Sequence, residues 1–137
     1  LKQWPENEEY FALIKRLVDH EDPITIWGSG DQERDFIHIE DVVDAIFATM
    51  DVLKPGETLN LGSGQPTSFK QLAQLAADVV GYKPEIICDR TKPEGVFSRV
   101  ADIYKLSQLY TPTRTLEWGV TECVQWLKHL DKLPTKL

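Results

Sequence analysis

The chain has 137 residues, 42% of them hydrophobic and 27% charged, which suits one globular domain and excludes a disordered tail. A formal net charge of −7 excludes a general nucleic-acid or membrane-surface binder, while leaving room for a local basic pocket that takes a phosphate. No apolar run approaches the roughly 18 residues of a spanning helix, and no signal-peptide pattern opens the sequence, so no membrane partner is expected.

Leu1 to Pro5 reads as an incoming loop and does not look like a natural domain beginning. Glu6 to Asp19 is expected to be helical: Tyr10, Leu13, Ile14, Leu17 and Val18 recur at helix spacing, and Glu6, Glu8 and Glu9 suit the positive end of the dipole. Lys15 and Arg16 fall near its C-terminal end. Pro23 ends the next loop, and Ile24 to Ile26 reads as a short strand. Gly28-Ser29-Gly30 then lets the backbone turn through conformations other residues avoid. Arg34 stands among Asp31, Glu33 and Asp35, which could pair with it on the surface. Phe36-Ile37-His38-Ile39 alternates like a strand, with His38 as a packed or surface imidazole. Asp41 to Leu53 forms a second helix, with Glu40 and Asp41 at its start. Val42, Val43, Ala45, Ile46, Met50 and Leu53 give it a wide apolar face.

Lys54-Pro55-Gly56-Glu57 is a turn, and Thr58 to Leu61 a short strand closed by Gly62-Ser63-Gly64. Ser68 and Gln71 have capping-box spacing and open a third helix, whose buried stripe is Leu72, Ala73, Leu75, Ala76, Val79 and Val80. Gly81 stops it. Glu85 to Cys88 is another strand, with Cys88 in the core. Asp89 to Arg99 is a second polar loop marked by Pro93 and Gly95. A short helical turn surrounds Lys105-Leu106. Thr115 caps the last helix, which carries Leu116, Val120, Cys123, Val124, Leu127 and Leu130 on one face. Trp118 and Trp126 are read as packing residues, and the tail after Leu130 as frayed. Cys88 and Cys123 have no metal-ligand spacing and point to a reducing, cytoplasmic setting. Short strands separated by helices indicate one α/β domain over 1–137, with an ordered core of about 6–130 and a small, mostly parallel sheet.

The chemistry is incomplete. The glycine pairs Gly28/Gly30 and Gly62/Gly64 do not extend to the G-x-G-x-x-G fingerprint, and no tyrosine has a lysine four residues later. His20, His38 and His129 are scattered. No catalytic residue and no metal cluster is assigned. What remains are two loops carrying Arg34, Lys92 and Arg99 in an acidic protein. Arginine forks match phosphate oxygens, lysine adds a point charge, and Trp27 offers an aromatic face for a base.

At these residues the chain resembles the C-terminal part of extended short-chain dehydrogenases, the NAD-dependent epimerase/dehydratase proteins that act on nucleotide sugars. The family's glycine turn, Arg-Asp-aromatic step and Val/Ile-x-Asp helix start look like Gly28-Ser29-Gly30 through Asp41. Its Asn-x-Gly-Ser/Thr-Gly turn before a capped helix looks like Asn60 to Gly64 and Ser68. Val80-Gly81-Tyr82-Lys83, Lys92-Pro93-Glu94-Gly95, Arg99 and Asp102 look most like the GDP-fucose synthase branch. The resemblance covers about residues 6 to 130. Two departures stand out: Leu109-Tyr110-Thr111 replaces Leu-Gly-Trp, and two residues separate Gly95-Val96 from Arg99.

The resemblance implies that Arg16, Trp27, Arg34 and Glu94 contact a nucleotide sugar, with Lys92 and Arg99 as neighbouring candidates. It implies that NAD or NADP and the proton-transferring residues belong to an N-terminal Rossmann half, absent from this sequence, which would be this chain's partner. The chain is therefore expected to be the substrate-binding C-terminal part of a nucleotide-sugar epimerase, dehydratase or reductase, a fragment or truncated gene product inactive by itself. An apolar face bared by the missing half would favour a homo-oligomer. The alternative is a non-catalytic, stand-alone nucleotide-sugar-binding or interaction module derived from the same fold.

Overall fold

The protein is described by a computed structural model over residues 9–130. The expected incoming loop at Leu1–Pro5, the helix start at Glu6, the Tyr10 side chain and the tail after Leu130 lie outside the described residues. In chain order the elements are α1 (Glu9–Val18), β1 (Ile24–Trp27), β2 (Glu33–Asp35), α2 (Ile39–Thr49), β3 (Pro66–Ser68), α3 (Phe69–Val80), β4 (Ile86–Asp89), β5 (Ser98–Arg99), α4 (Tyr104–Ser107) and α5 (Leu116–Leu130).

Helical periodicity builds the core. Leu13, Ile14, Leu17 and Val18 of α1, Phe69, Leu72, Ala73, Ala76 and Ala77 of α3, and Val120, Val124 and Leu127 of α5 are buried together, with Ile24 and Ile26 of β1 closing one side. Three fully buried alanines on α3 let its neighbours pack closely, so a larger side chain there would have no room. The Ser68–Gln71 capping box is present, and Gly81 ends α3 in the left-handed region at φ 96°, where a side chain would be strained.

The strands form two small sheets. β1 and β4 run parallel, with Ile24 opposite Ile86 and Trp27 opposite Asp89. β2 is central in the other, parallel to β5 and antiparallel to β3. The α/β class and the mainly parallel pairing follow the sequence reading, but two strands move. Thr58 to Leu61 is not a strand; side chains hold it instead, Lys105 Nζ donating to the Thr58 carbonyl (3.0 Å) and Asn60 Nδ2 to that of Asp102 (3.3 Å). Pro66–Ser68 takes the pairing position. Phe36 to Ile39 is not a strand either. His38 is the N-cap of α2, its Nδ1 accepting from the Glu40 amide at 3.2 Å, so the chain turns into a helix where alternation suggested extension.

α2 also ends earlier than expected, at Thr49, whose hydroxyl donates back to the Ala45 carbonyl at 2.7 Å. Of its apolar face only Ala45 is buried; Val43, Ile46 and Met50 are exposed, as are Ile39 and Phe47, the last at 69%. Trp118 and Trp126 are half exposed as well: the first donates to Glu122 (3.0 Å), and the second meets Phe11 edge-on at 6.0 Å between ring centres.

α2 is tied to the rest by charge. The fully buried Asp41 accepts from the Tyr110 hydroxyl (2.7 Å), the Thr113 and Arg114 amides (3.1 and 3.0 Å) and the Arg114 guanidinium (2.8 Å). Arg114 also pairs with Glu40 and Asp44. Tyr110, which departs from the family pattern, thus has a structural use. Burial alone would raise the Asp41 carboxyl, but the bonds from Tyr110, Arg114 and Thr113 outweigh it and hold it at about 2.

Because the folded carboxyl titrates below its unfolded value, this contribution is complete above about pH 4 and is lost as pH falls toward 2. Asp41→Asn should cost about 3 kcal/mol and flatten the acid limb of stability in that window, measured by urea unfolding from pH 2 to 6.

Candidate functional site

Parallel pairing sends the chain out of β1 and β4 at the same end. The Gly28 amide extends the ladder to the Asp89 carbonyl at 2.9 Å. Ser29 donates its amide (3.1 Å) and its hydroxyl (2.8 Å) to the two carboxylate oxygens of Glu94. Gly28 has φ 77°, and a Cβ there would lie 2.8 Å from Glu94 Cβ, so only glycine lets Glu94 cross. Beside this contact, Lys92 Nζ lies 5.7 Å from the centre of the Trp27 ring, within cation–π range. Trp27 remains 55% exposed. Its carbonyl is fixed by the buried Gln32, which donates from Nε2 at 2.8 Å.

Arg34 and Arg99 are register partners in the parallel β2–β5 pair. Such partners stand on one face of a sheet, about 4.8 Å apart at the backbone. Arg34 Nη1 donates to the carbonyls of Glu33 (2.7 Å) and Val96 (2.9 Å), and its guanidinium lies 5.6 Å from the centre of the Phe69 ring. The group is held in place while its other N–H donors have no protein partner among the described residues.

The pairing of charges is uneven. Lys15, Arg16, Lys70, Lys105 and Arg114 each form an ion pair. Among the described residues Arg34, Arg90, Lys92 and Arg99 form none, nor do Lys54, Lys83 and Lys128. Of the acids near Arg34, Asp31 pairs with Lys70 at 2.9 Å, Asp35 accepts from Ser63, Gly64 and Ala101, and the Glu33 carboxylate forms no ion pair with it. The surface pairing of Arg34 considered from sequence does not occur. Adjacent like charges repel, and a bound anion would relieve them.

Arg16 stands apart. It is bound to Glu21 through Nε (2.8 Å) and Nη2 (2.5 Å) and donates from Nη1 to the Thr25 carbonyl at 2.9 Å. None of these bonds reaches the Trp27–Arg99 group. The structure therefore gathers Trp27, Arg34, Lys92, Glu94 and Arg99 around two linked loops and turns Arg16 inward to α1 and β1.

Nothing in the sequence signals the bonds that Asp35 and Gln32 make. The Asp35 Oδ1 accepts from the Ser63 amide (2.8 Å) and hydroxyl (2.6 Å), and Oδ2 from the amides of Gly64 (3.0 Å) and Ala101 (3.1 Å). Burial pushes its carboxyl up, but these donors, Ser63 first, bring it below the usual range. Both glycine turns thus give amides to a carboxylate, Glu94 at one and Asp35 at the other. Phosphate-cradling glycine loops keep such amides for the ligand and open onto a helix N-terminus; these turns lead into strands. The described residues do not fit a dinucleotide diphosphate.

A profile of the NAD dependent epimerase/dehydratase family matches residues 5–62. A putative GDP-L-fucose synthase of Arabidopsis thaliana is 36% identical over 89% of this chain and 39% of its own length. The GDP-L-fucose synthase of Escherichia coli is 31% identical over 93% of this chain and 45% of its own. The chain is similar to proteins of the NAD-dependent epimerase/dehydratase family. The fold agrees: a UDP-glucose 4-epimerase of Thermotoga maritima, solved with UDP-glucose, superposes with a TM-score of 0.77 at 27% identity, covering 88% of this chain and 39% of that one. The chain spans about two fifths of the length of these relatives.

Asp35→Ala should lower stability by at least about 2 kcal/mol, since its carboxylate accepts four hydrogen bonds and each to a charged group is worth roughly 1.5–3 kcal/mol before relaxation. Asp31→Ala, which removes an exposed pair, should change it by less than about 1 kcal/mol. Differential scanning calorimetry of the two variants checks the contrast.

Proposed function

We propose that this chain is the nucleotide-sugar-binding portion of an NAD(P)-dependent nucleotide-sugar epimerase, dehydratase or reductase, with a GDP-sugar as the ligand. The observation that carries the reading is the register pair Arg34–Arg99, uncompensated by any carboxylate among the described residues, taken together with the Trp27–Lys92 contact. Two arginines at paired strand positions supply two forks for a diphosphate, and a fork held as at Arg34 loses little entropy on binding. The exposed Trp27 ring offers a stacking face for the base. GDP is chosen because several relatives matched over most of this chain, those of Arabidopsis thaliana and Escherichia coli among them, are GDP-L-fucose synthases.

Hydride chemistry belongs to NAD or NADP, which supplies it when bound. The described residues do not fit that cofactor, and no step of the chemistry is assigned to them. Their work is to hold the nucleotide. An N-terminal Rossmann half is the partner this reading assigns for the chemistry. The exposed stripe of Ile39, Val43, Ile46, Phe47 and Met50 on α2 supports a further packing partner, since such a stripe is costly to leave in water.

Arg34→Ala should weaken GDP binding to the chain by about tenfold to a hundredfold, the worth of one charged hydrogen bond, with Arg34→Lys recovering part of it. Arg99→Ala should act in the same direction. Isothermal titration calorimetry decides: equal affinities for wild type and Arg34→Ala remove the arginine pair from the site.

A further inference from the structure

The sequence reading assigns the Glu94 carboxylate to the ligand, but the structure occupies both its oxygens with Ser29. Glu94 is one of several anchors of the loop that follows β4. Upstream, the Lys92 amide donates to the Asp89 carbonyl (3.2 Å), and the Asp89 carboxylate accepts the Thr91 amide (3.0 Å) and hydroxyl (2.6 Å). Downstream, the Val96 carbonyl accepts from Arg34 and the Phe97 carbonyl from the Glu33 amide. Lys92 lies between the Asp89 turn and Glu94, joined to the latter through Pro93, whose ring fixes φ. Ser29 is itself braced, its hydroxyl accepting the Asp31 amide at 3.1 Å.

We propose that Glu94 is a positioning residue: by clasping Ser29 across the two loops it holds Lys92 against Trp27, and so builds the cationic and aromatic platform on which the nucleotide rests. This rests on the nucleotide reading above and changes the part Glu94 plays in it. Gly28 belongs to the same device, because a side chain there would collide with Glu94. The sign of the effect separates this role from proximity. A carboxylate merely lying beside an anion site repels the anion, so neutralising it tightens binding. A clasp that places a lysine loosens binding when it is broken.

The test uses the full chain, GDP as the probe and two readouts. By calorimetry, Glu94→Gln and Ser29→Ala should each weaken GDP binding by about tenfold, the loss expected for Lys92→Ala, and Ser29→Thr, which keeps the hydroxyl, should restore most of it. In the Lys92→Ala background, Glu94→Gln should add less than about twofold, because its effect passes through the lysine. Direct contact of Glu94 with GDP would instead multiply the losses to about a hundredfold and overturn the proposal, as would tighter binding by Glu94→Gln. Without ligand, the Lys92 methylene proton signals should carry the upfield ring-current shift of Trp27 in the wild type and lose it in Ser29→Ala and Glu94→Gln. Shifted signals that survive in both variants overturn the clasp. A wild-type chain that shows the shift, loses it in the variants and binds no GDP upholds the clasp and overturns the nucleotide reading instead.

Discussion

The carboxylate of Asp35 joins segments that the sequence keeps 28, 29 and 66 residues apart, at Ser63, Gly64 and Ala101. It sits at the end of β2, the strand that carries Arg34. With these amides satisfied, β2 is fixed between the Ser63 turn and the chain leaving β5, and the register that sets Arg34 beside Arg99 follows. Gly62 shows how tight the arrangement is: a Cβ there would fall 2.5 Å from the Asp35 oxygen. An unpaired buried amide costs about 1–3 kcal/mol, so alternative registers that release three of them are disfavoured.

A division of labour between acids and bases runs through the molecule. Asp35, Asp41 and Glu94 are each consumed by backbone amides or hydroxyls and act as internal connectors. Arg114 is consumed too, by three carboxylates around the start of α2. Arg34 of β2 and Lys92 of the loop after β4 are held by carbonyls and rings rather than by carboxylates. An acidic protein has acids enough to neutralise them. Those acids bond elsewhere, so the Arg34 guanidinium and the Lys92 ammonium keep N–H donors that no carboxylate among the described residues takes.

How much of this was legible in the sequence depends on how local the cause is. The Ser68–Gln71 box, the Gly81 stop and the stripes of α1, α3 and α5 rest on neighbours within one or two turns and were read directly. Arg34 and Trp27 stood out because of the glycine turn between them. The false strand at Thr58–Leu61 arose because alternation signals an extended chain but not a pairing partner, and Pro66–Ser68 was closer to β2. His38 was misread because its imidazole caps a helix, a role that Ser or Asp would have announced. Asp35, Gln32 and Asp41 were invisible as connectors, since their partners lie far along the chain. Glu94 was read as a ligand contact, and its bonds to Ser29, 65 residues away, carried no local signal. The apolar face of α2 was legible, but sequence pattern cannot say what covers it.

The central claim is that the uncompensated arginines and the Trp27–Lys92 platform form one anion-binding, base-stacking surface. Titrating the isotopically labelled chain with GDP and following side-chain N–H signals tests it directly. The account predicts concerted shifts at the Arg34 and Arg99 Nε–H and the Trp27 indole N–H, with one shared dissociation constant. Shifts that spare these groups and gather instead around His38, Arg114 and Gly119, which line a separate pocket of about 170 Å³, would contradict it.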